Sequence, residues 1–236
     1  MRLVYALGLG LSLAVASAAC SDRQAADPAV PPAAAAPAAA VAPPVVSATP
    51  RIVCLGDSLT AGYGVSSDEA YPALLAARLR AAGLEYDVVN AGVSGDTSAG
   101  GLRRLDWSMA GDVQVLVVAL GANDGLRGLP PKDLRANLAR IIEAAQARHV
   151  RVVLAGMEAP PNFGATYTRD FRAVYRDLAE AYDVTLIPFF LDGVAGVPAL
   201  NQADGIHPTA EGHRIVAATI WRAVAPLVGS RESSQS

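Results

Sequence analysis

Ile52-Val53-Cys54-Leu55-Gly56-Asp57-Ser58-Leu59-Thr60 starts as an unbroken apolar run and stops at a Gly-Asp-Ser turn. Apolar residues at successive positions, rather than at alternate ones, fit a strand covered on both faces, as in the middle of a parallel sheet packed between helices. Sheets of that kind bind ligands beyond the carboxyl ends of their strands. Ser58 falls just past such an end, where a rigid strand would present its hydroxyl to solvent. The competing local reading makes Ser58 the N-cap of a helix, a position that serine often takes.

Working outward from this stretch, the periods alternate. An amphipathic helix is predicted over 71–82, a second strand over 86–91, a short helix over 101–109 and a strongly apolar third strand over 113–120. Pro130 and Pro131 then open a helix over 132–149, since proline is tolerated at a helix's first position. A strand over 150–155, a helix over 165–182, a strand over 184–188 and a last helix over 209–227 complete the series. Strands alternating with helices predict an α/β fold, a doubly wound parallel five-stranded sheet with helices on both faces. The expected strand order is the flavodoxin-like 2-1-3-4-5.

The chain has 236 residues, 52% hydrophobic and 17% charged, enough for one sizeable core, and no internal repeat is visible. That core is placed in residues 51–228. The net charge of −3 comes without any cluster of Lys and Arg, which excludes the electrostatic footprint of a nucleic-acid binder. Two cysteines and three histidines, with no CxxC or HExxH spacing, give no metal-ligand pattern, so neither metal nor cofactor is expected. Cys54, inside a strand, reads as a small buried hydrophobe. Trp107 and Trp221 fall on helices and read as core.

The ends of the chain differ from its middle. Arg2, the apolar stretch from Leu3 to Val15 and the small residues Ala16-Ser17-Ala18-Ala19-Cys20 have the layout of a secretory signal over 1–20, so the protein is expected to be exported. Ala16-Ser17-Ala18 suits an ordinary signal peptidase. Ser17-Ala18-Ala19-Cys20 resembles a bacterial lipobox, with Ser17 where that pattern prefers Leu, and would make Cys20 a lipidated mature N-terminus in the cell envelope. Residues 21–50 hold seven of the sixteen prolines and no Leu, Ile or aromatic residue. Such a segment buries no core and reads as a disordered tether reaching up to roughly 90 Å when extended. The polar residues 229–236 read as a disordered tail.

Chemistry-bearing residues collect where strands end. Gly56-Asp57-Ser58 follows the first strand, Ser94-Gly95-Asp96 the second, Gly121-Ala122-Asn123-Asp124 the third and Asp204-Gly205-Ile206-His207-Pro208 the fifth. With strand one between strands two and three, Ser58, Gly95 and Asn123 would converge at one edge. A nucleophilic serine needs a base, and the base needs an orienting carboxylate. Asp204, three residues before His207, could reach the ring's Nδ1 within one turn and leave Nε2 for Ser58. The plain alternative is that Asp204-His207 is a turn capping the final helix, that Asn123 caps a turn, and that Gly95 permits a positive φ. As functional groups, the Asn123 amide and the backbone N–H groups of Ser58 and Gly95 would donate to an oxyanion. His149, at a helix end, and His213, inside the last helix, have no such partner in sequence. Asp57 and Asp124 read as turn-forming residues.

Gly56-Asp57-Ser58-Leu59, Gly95, Gly121-Ala122-Asn123-Asp124 and Asp204-Gly205-Ile206-His207, in this order across residues 51–228, resemble the four blocks of the SGNH, or GDSL, hydrolase family. The wider stretches GDSLTAGYG, NAGVSGDTSAGGLRRL, LGANDGLRG and DGIHP are most similar to its bacterial branch of multifunctional thioesterase I, lysophospholipase L1 and arylesterase. The resemblance implies a serine esterase acting on carboxylic esters or thioesters through an acyl-enzyme. It implies Ser58 as nucleophile, His207 as base, Asp204 as its orienter, and Ser58, Gly95 and Asn123 as oxyanion donors. Leu126 and Leu129 after the third strand, with Phe189 and Phe190 after the fifth, are the expected acyl-binding residues. Small-molecule or lipid esters are the expected partners, with membrane contact only through Cys20, and the protein is expected to be a monomer. The alternatives are a carbohydrate O-acetylesterase of the envelope and, from another class, an envelope lipoprotein that binds ligand without catalysis.

Overall fold

Pro50 brings the chain to the amino end of a five-stranded parallel sheet in the computed structural model, which describes residues 49–228. The strands are β1 (Arg51–Gly56), β2 (Asp87–Gly92), β3 (Val113–Ala119), β4 (Arg151–Ala155) and β5 (Thr185–Ile187). Their order is β2-β1-β3-β4-β5, the flavodoxin-like order expected, and all neighbours are parallel, as the alternation of periods predicts. The signal-like segment 1–20 with Cys20, the Ala/Pro-rich segment up to residue 48 and the tail 229–236 lie outside the described residues.

β1 and β3 are the most deeply covered strands. Ile52, Val53, Cys54 and Leu55 are inaccessible to solvent, as are Val115 to Val118. The helices that cover them are α1 (Ser58–Ala61), α2 (Tyr71–Ala81), α3 (Ser98–Arg103), α4 (Leu105–Ser108), α5 (Ala122–Leu126), α6 (Pro131–Gln146), α7 (Ala165–Tyr182) and α8 (Ala210–Val228). α2 packs with α8, and α6 packs with α3 and α7. In α6 the apolar stripe Leu134, Leu138, Ile141, Ile142 and Ala145 recurs at three- and four-residue steps and is buried whole. Val53 and Leu55 pair with Val89 and Ala91 on one side and with Leu116 and Val118 on the other, which fixes the register through the core. Cys54 lies within this core, and burial pushes its thiol up to about 12.

Several local expectations change. The helix predicted over 101–109 is two short helices, α3 and α4, because the chain turns at Arg104. On α4, Trp107 is 79% exposed and is not core, since a helix of four residues buries Leu105 and Ser108 and turns Asp106 and Trp107 between them outward. Trp221, on α8, is half-buried against the core. His149 stands outside α6 in a turn with φ 58°, where Val150 N–H donates back to the Ala145 carbonyl. His213 is buried in α8 and does have a partner, accepting the Tyr71 N–H at Nδ1. Burial drives the His213 ring down to about 4.

Candidate active site

The corner after β1 is built from close backbone contacts. A Cβ at Gly56 would collide with Thr60 Oγ1 and lie 2.8 Å from the Ala119 carbonyl, so only glycine lets β1 and the following helix approach so closely. The cap of α1 is Asp57, not Ser58: its Oδ1 accepts the Leu59 N–H at 3.0 Å. Ser58 is therefore the first helical residue, its N–H among those that α1 leaves unused. Asp57 is 1% exposed, and burial lifts its carboxyl to about 6 despite the Leu59 and Asn123 hydrogen bonds.

His207 arrives from the far side on a stretch without helix or strand. Its Nε2 lies 2.9 Å from Ser58 Oγ and its Nδ1 lies 2.7 Å from Asp204 Oδ2. Asp204 Oδ1 also accepts the backbone N–H groups of Ile206 and His207, at 2.9 and 3.0 Å. The His207 bond first, then those two N–H groups, hold the Asp204 carboxyl down at about 2. An ionised Asp204 makes Nδ1 the protonated ring nitrogen and leaves the lone pair of Nε2 facing Ser58, the tautomer a base requires.

Asn123, the second residue of α5, borders the same cavity as Ser58 and His207 and donates from Nδ2 to Asp57 Oδ2 at 3.3 Å. Because a carboxylate only accepts, this bond settles which end of the amide faces Asp57, and the other N–H of the same nitrogen stays available to the cleft. Gly95 sits in the loop after β2 with φ 83°, and its carbonyl accepts from Arg127 Nη2 at 2.8 Å. Ser58, Gly95 and Asn123 border the same cavity, so the three residues expected at one edge are found together. Asp124 does more than form a turn. It is buried, and it accepts both the Ser98 N–H at 2.8 Å and the Ser98 hydroxyl at 2.5 Å, joining α5 to α3.

The cavity has a volume of about 770 Å³, and its walls are largely apolar. Leu126 and Phe189 line it as expected. Leu129 and Phe190 do not. Leu129 is absent from the lining, its carbonyl accepting from Tyr167 Oη, and Phe190 is 1% exposed, its ring set edge-on to Tyr71 at 5.5 Å in the core. Their places are taken by Met157, Ala159, Pro160 and Pro161 from the loop after β4, which carries no polar cluster and so gives no signal in the sequence. Arg104 was missed as well. It pairs with Asp96 at 2.6 Å and donates to the carbonyls of Ala91 and Gly56 at 2.8 Å each, pinning the ends of β2 and β1 beside the site.

The chain is similar to known proteins in sequence and in fold. The model of the GDSL-like Lipase/Acylhydrolase family matches residues 54–215. Esterase TesA of Pseudomonas aeruginosa is 43% identical over 183 residues, spanning 77% of this chain and 91% of that protein. Thioesterase 1/protease 1/lysophospholipase L1 of Escherichia coli K12 is 38% identical over 183 residues, covering 77% of this chain and 86% of that protein. Among solved structures, a crystal structure of TesA superposes with a TM-score of 0.72 at 42% identity, over 76% of this chain and 99% of that one. AlinE4, described as an SGNH-hydrolase family esterase, superposes with a TM-score of 0.64 at 46% identity, over 76% of this chain and 96% of that one.

Proposed function

The chain belongs to the GDSL-like Lipase/Acylhydrolase family and is an ester hydrolase, and from that premise we propose that it cleaves esters and thioesters of apolar acids through an acyl-enzyme on Ser58. The observation that carries the proposal is the relay Asp204–His207–Ser58 at the lip of an apolar cavity. Ser58 Oγ attacks the ester carbonyl carbon while its proton passes to His207 Nε2, and the same proton then leaves with the alcohol or thiol. Water next attacks the acyl carbon and gives a proton to His207, which returns it to Ser58 as the acid departs. Asp204 holds the imidazole and stabilises its charged form through both steps. The oxyanion is met by the N–H groups of Ser58 and Gly95 and by Asn123 Nδ2. No cofactor enters this scheme, and the reading is of a monomer acting on lipid esters.

The acyl chain is assigned to the wall made by Leu126, Met157, Ala159 and Phe189. Moving one methylene from water to such a wall is worth about 0.8 kcal/mol, or about a fourfold rise in kcat/KM, since about 1.36 kcal/mol is tenfold. A p-nitrophenyl ester series from acetate to laurate, kept below micelle formation, is expected to climb to a medium-chain optimum. Leu126→Ser or Phe189→Ser is expected to flatten it. A steady fall from acetate, unchanged by those substitutions, would replace the acyl reading with a sugar acetylesterase, and failure of a fluorophosphonate to label Ser58 would remove the catalytic one. Export through 1–20 and a lipid on Cys20 belong to the same proposal. Membrane partition of the mature protein, lost in Cys20→Ala, supports the lipid, and a wholly soluble mature protein with its N-terminus at Ala19 removes the lipid while leaving export in place.

A further inference from the structure

His207 is carried by the stretch between the short 3-10 turn Pro198–Leu200 and α8, where the only pairing is the bridge between Asn201 and Pro208. Within that stretch the Gln202 N–H donates to the His207 carbonyl at 2.8 Å. The Gln202 side chain reaches across to the other half of the site. Its Nε2 donates to the Tyr63 carbonyl at 2.7 Å and to the Pro208 carbonyl at 3.0 Å. Tyr63 belongs to the nucleophile's segment, because its own N–H donates to the Ser58 carbonyl at 3.1 Å. Its ring lies against His207, with centroids 4.6 Å apart and planes 40° from each other. Two carbonyls facing one end of the amide make that end the NH₂, since the opposite orientation would set oxygen against oxygen twice. A Cβ on Gly64, at φ 78°, would strike Gln202 Oε1, so the bare backbone there is what admits the glutamine.

The direct ties between base and nucleophile are therefore the Ser58–His207 hydrogen bond, the Tyr63–His207 ring contact and the Gln202 amide. In the acyl-enzyme, Ser58 Oγ is an ester oxygen with no proton to donate, and the first tie is gone. His207 Nε2 must still take a proton from the water attacking the acyl carbon, and must return it to Oγ as the carbon–Oγ bond breaks. We infer that Gln202 is a positioning residue for this second half-reaction, keeping His207 over the acylated serine when their own hydrogen bond no longer does so. The inference rests on the acyl-enzyme reading above.

The test is stopped-flow kinetics on the full chain with p-nitrophenyl and phenyl esters of one acid, which resolve acylation from deacylation. Gln202→Met keeps the length of the side chain and removes its donors. A misplacement of about 1 Å at a reacting group costs up to about 10²-fold, and with the ring contact still present the expected loss is about tenfold in deacylation. Acylation should change by less than about twofold. The variant should then show a p-nitrophenol burst approaching one per active site, and kcat for the two esters should converge. Tyr63→Leu keeps the carbonyl and its bond, and should slow deacylation less. Should Gln202→Met fail to fold, Gln202→Asn, which shortens the reach of the amide, carries the same expectation. Equal slowing of both steps, or no change in either, overturns the inference. If rapid quenching finds no acyl group on Ser58 in the wild type and Ser58→Ala still turns over, the acyl-enzyme reading falls and takes this one with it.

Discussion

The two aspartates of the cleft are held in opposite ways. Asp57, under the nucleophile, is 1% exposed and lifted to about 6 by burial; Asp204, beside the base, stands open to water and is held at about 2 by the His207 ring and two backbone N–H groups. The same division runs through everything around them. The nucleophile's corner grows out of a strand between two parallel neighbours, with no room for one extra carbon at Gly56. The base's loop has no regular structure and is kept in shape by side chains bonded to its own backbone, Asn201 to the Val194 and Val197 carbonyls and Asp204 to the N–H groups ahead of it. One half of the site is rigid because the core sets it, the other because hydrogen bonds within the loop, and the Gln202 bond to Tyr63, hold it.

The harshest way to break this contrast is to ask whether the halves act as one. Ser58→Ala and His207→Ala are each expected to lower kcat by about 10⁴- to 10⁶-fold, and the double variant should be little worse than either. Active-site-titrated rates with one p-nitrophenyl ester check it, and losses that multiply would separate the two regions. A second comparison sets glycine against glycine. Gly56→Ala forces a carbon against Thr60 and the Ala119 carbonyl and should cost about 3 kcal/mol or more of stability. Gly205, at φ 71°, has nothing within 4 Å of an added Cβ, and Gly205→Ala should cost only the backbone strain, about 1–2 kcal/mol. Urea unfolding of both variants ranks them, and equal losses would mean that the base's loop is as tightly packed as the corner.

The mildest effect is the sharpest discriminator, because its sign differs between the two carboxyls. Asp57 titrates at about 6 in the folded protein against an ordinary 3.8, so the folded state keeps a proton that the unfolded chain releases. Its contribution is fully present below pH 3.8 and is lost as pH rises through 6, by up to about 3 kcal/mol. Asp204, lowered from 3.8 to about 2, contributes above pH 3.8 and loses that contribution as pH falls through 2, an effect kept small by solvent. Stability measured across pH 4 to 7 should therefore lose a falling component in Asp57→Asn and keep it in Asp204→Asn. An unchanged slope in Asp57→Asn would show that its carboxyl does not titrate there.

Legibility in the sequence follows the same division. β1 and β3 could be read because a buried parallel strand must be apolar at every position, and Gly-Asp-Ser, Gly-Ala-Asn-Asp and Asp-Gly-Ile-His stood out against such runs. The parallel doubly wound class follows from the alternation of periods, and the flavodoxin-like order expected for it brings Ser58, Gly95 and Asn123 to one cavity. What could not be read was the side to which a loop residue turns. Phe189 and Phe190 are adjacent and equally apolar, yet one lines the cleft and the other packs on Tyr71. Met157, Ala159, Pro160 and Pro161 offer no catalytic pattern in the sequence, and the one charged residue among them, Glu158, pairs with Arg172. α1 and α5 are too short for a hydrophobic period, and the Asp57 cap that opens α1 looked like one more turn residue.

β1 also sets where this protein can be held. The chain comes into the sheet at Arg51, whose N–H is bonded to the Asp112 carbonyl, and the nucleophile leaves the opposite end of the same strand. Six residues of strand separate the two, about 20 Å. A hold on the chain at Thr49 therefore grips the domain at the end of β1 opposite the nucleophile. Tension through that grip runs along β1, between hydrogen-bonded neighbours on both sides, so the bonds share the load in shear instead of opening one at a time.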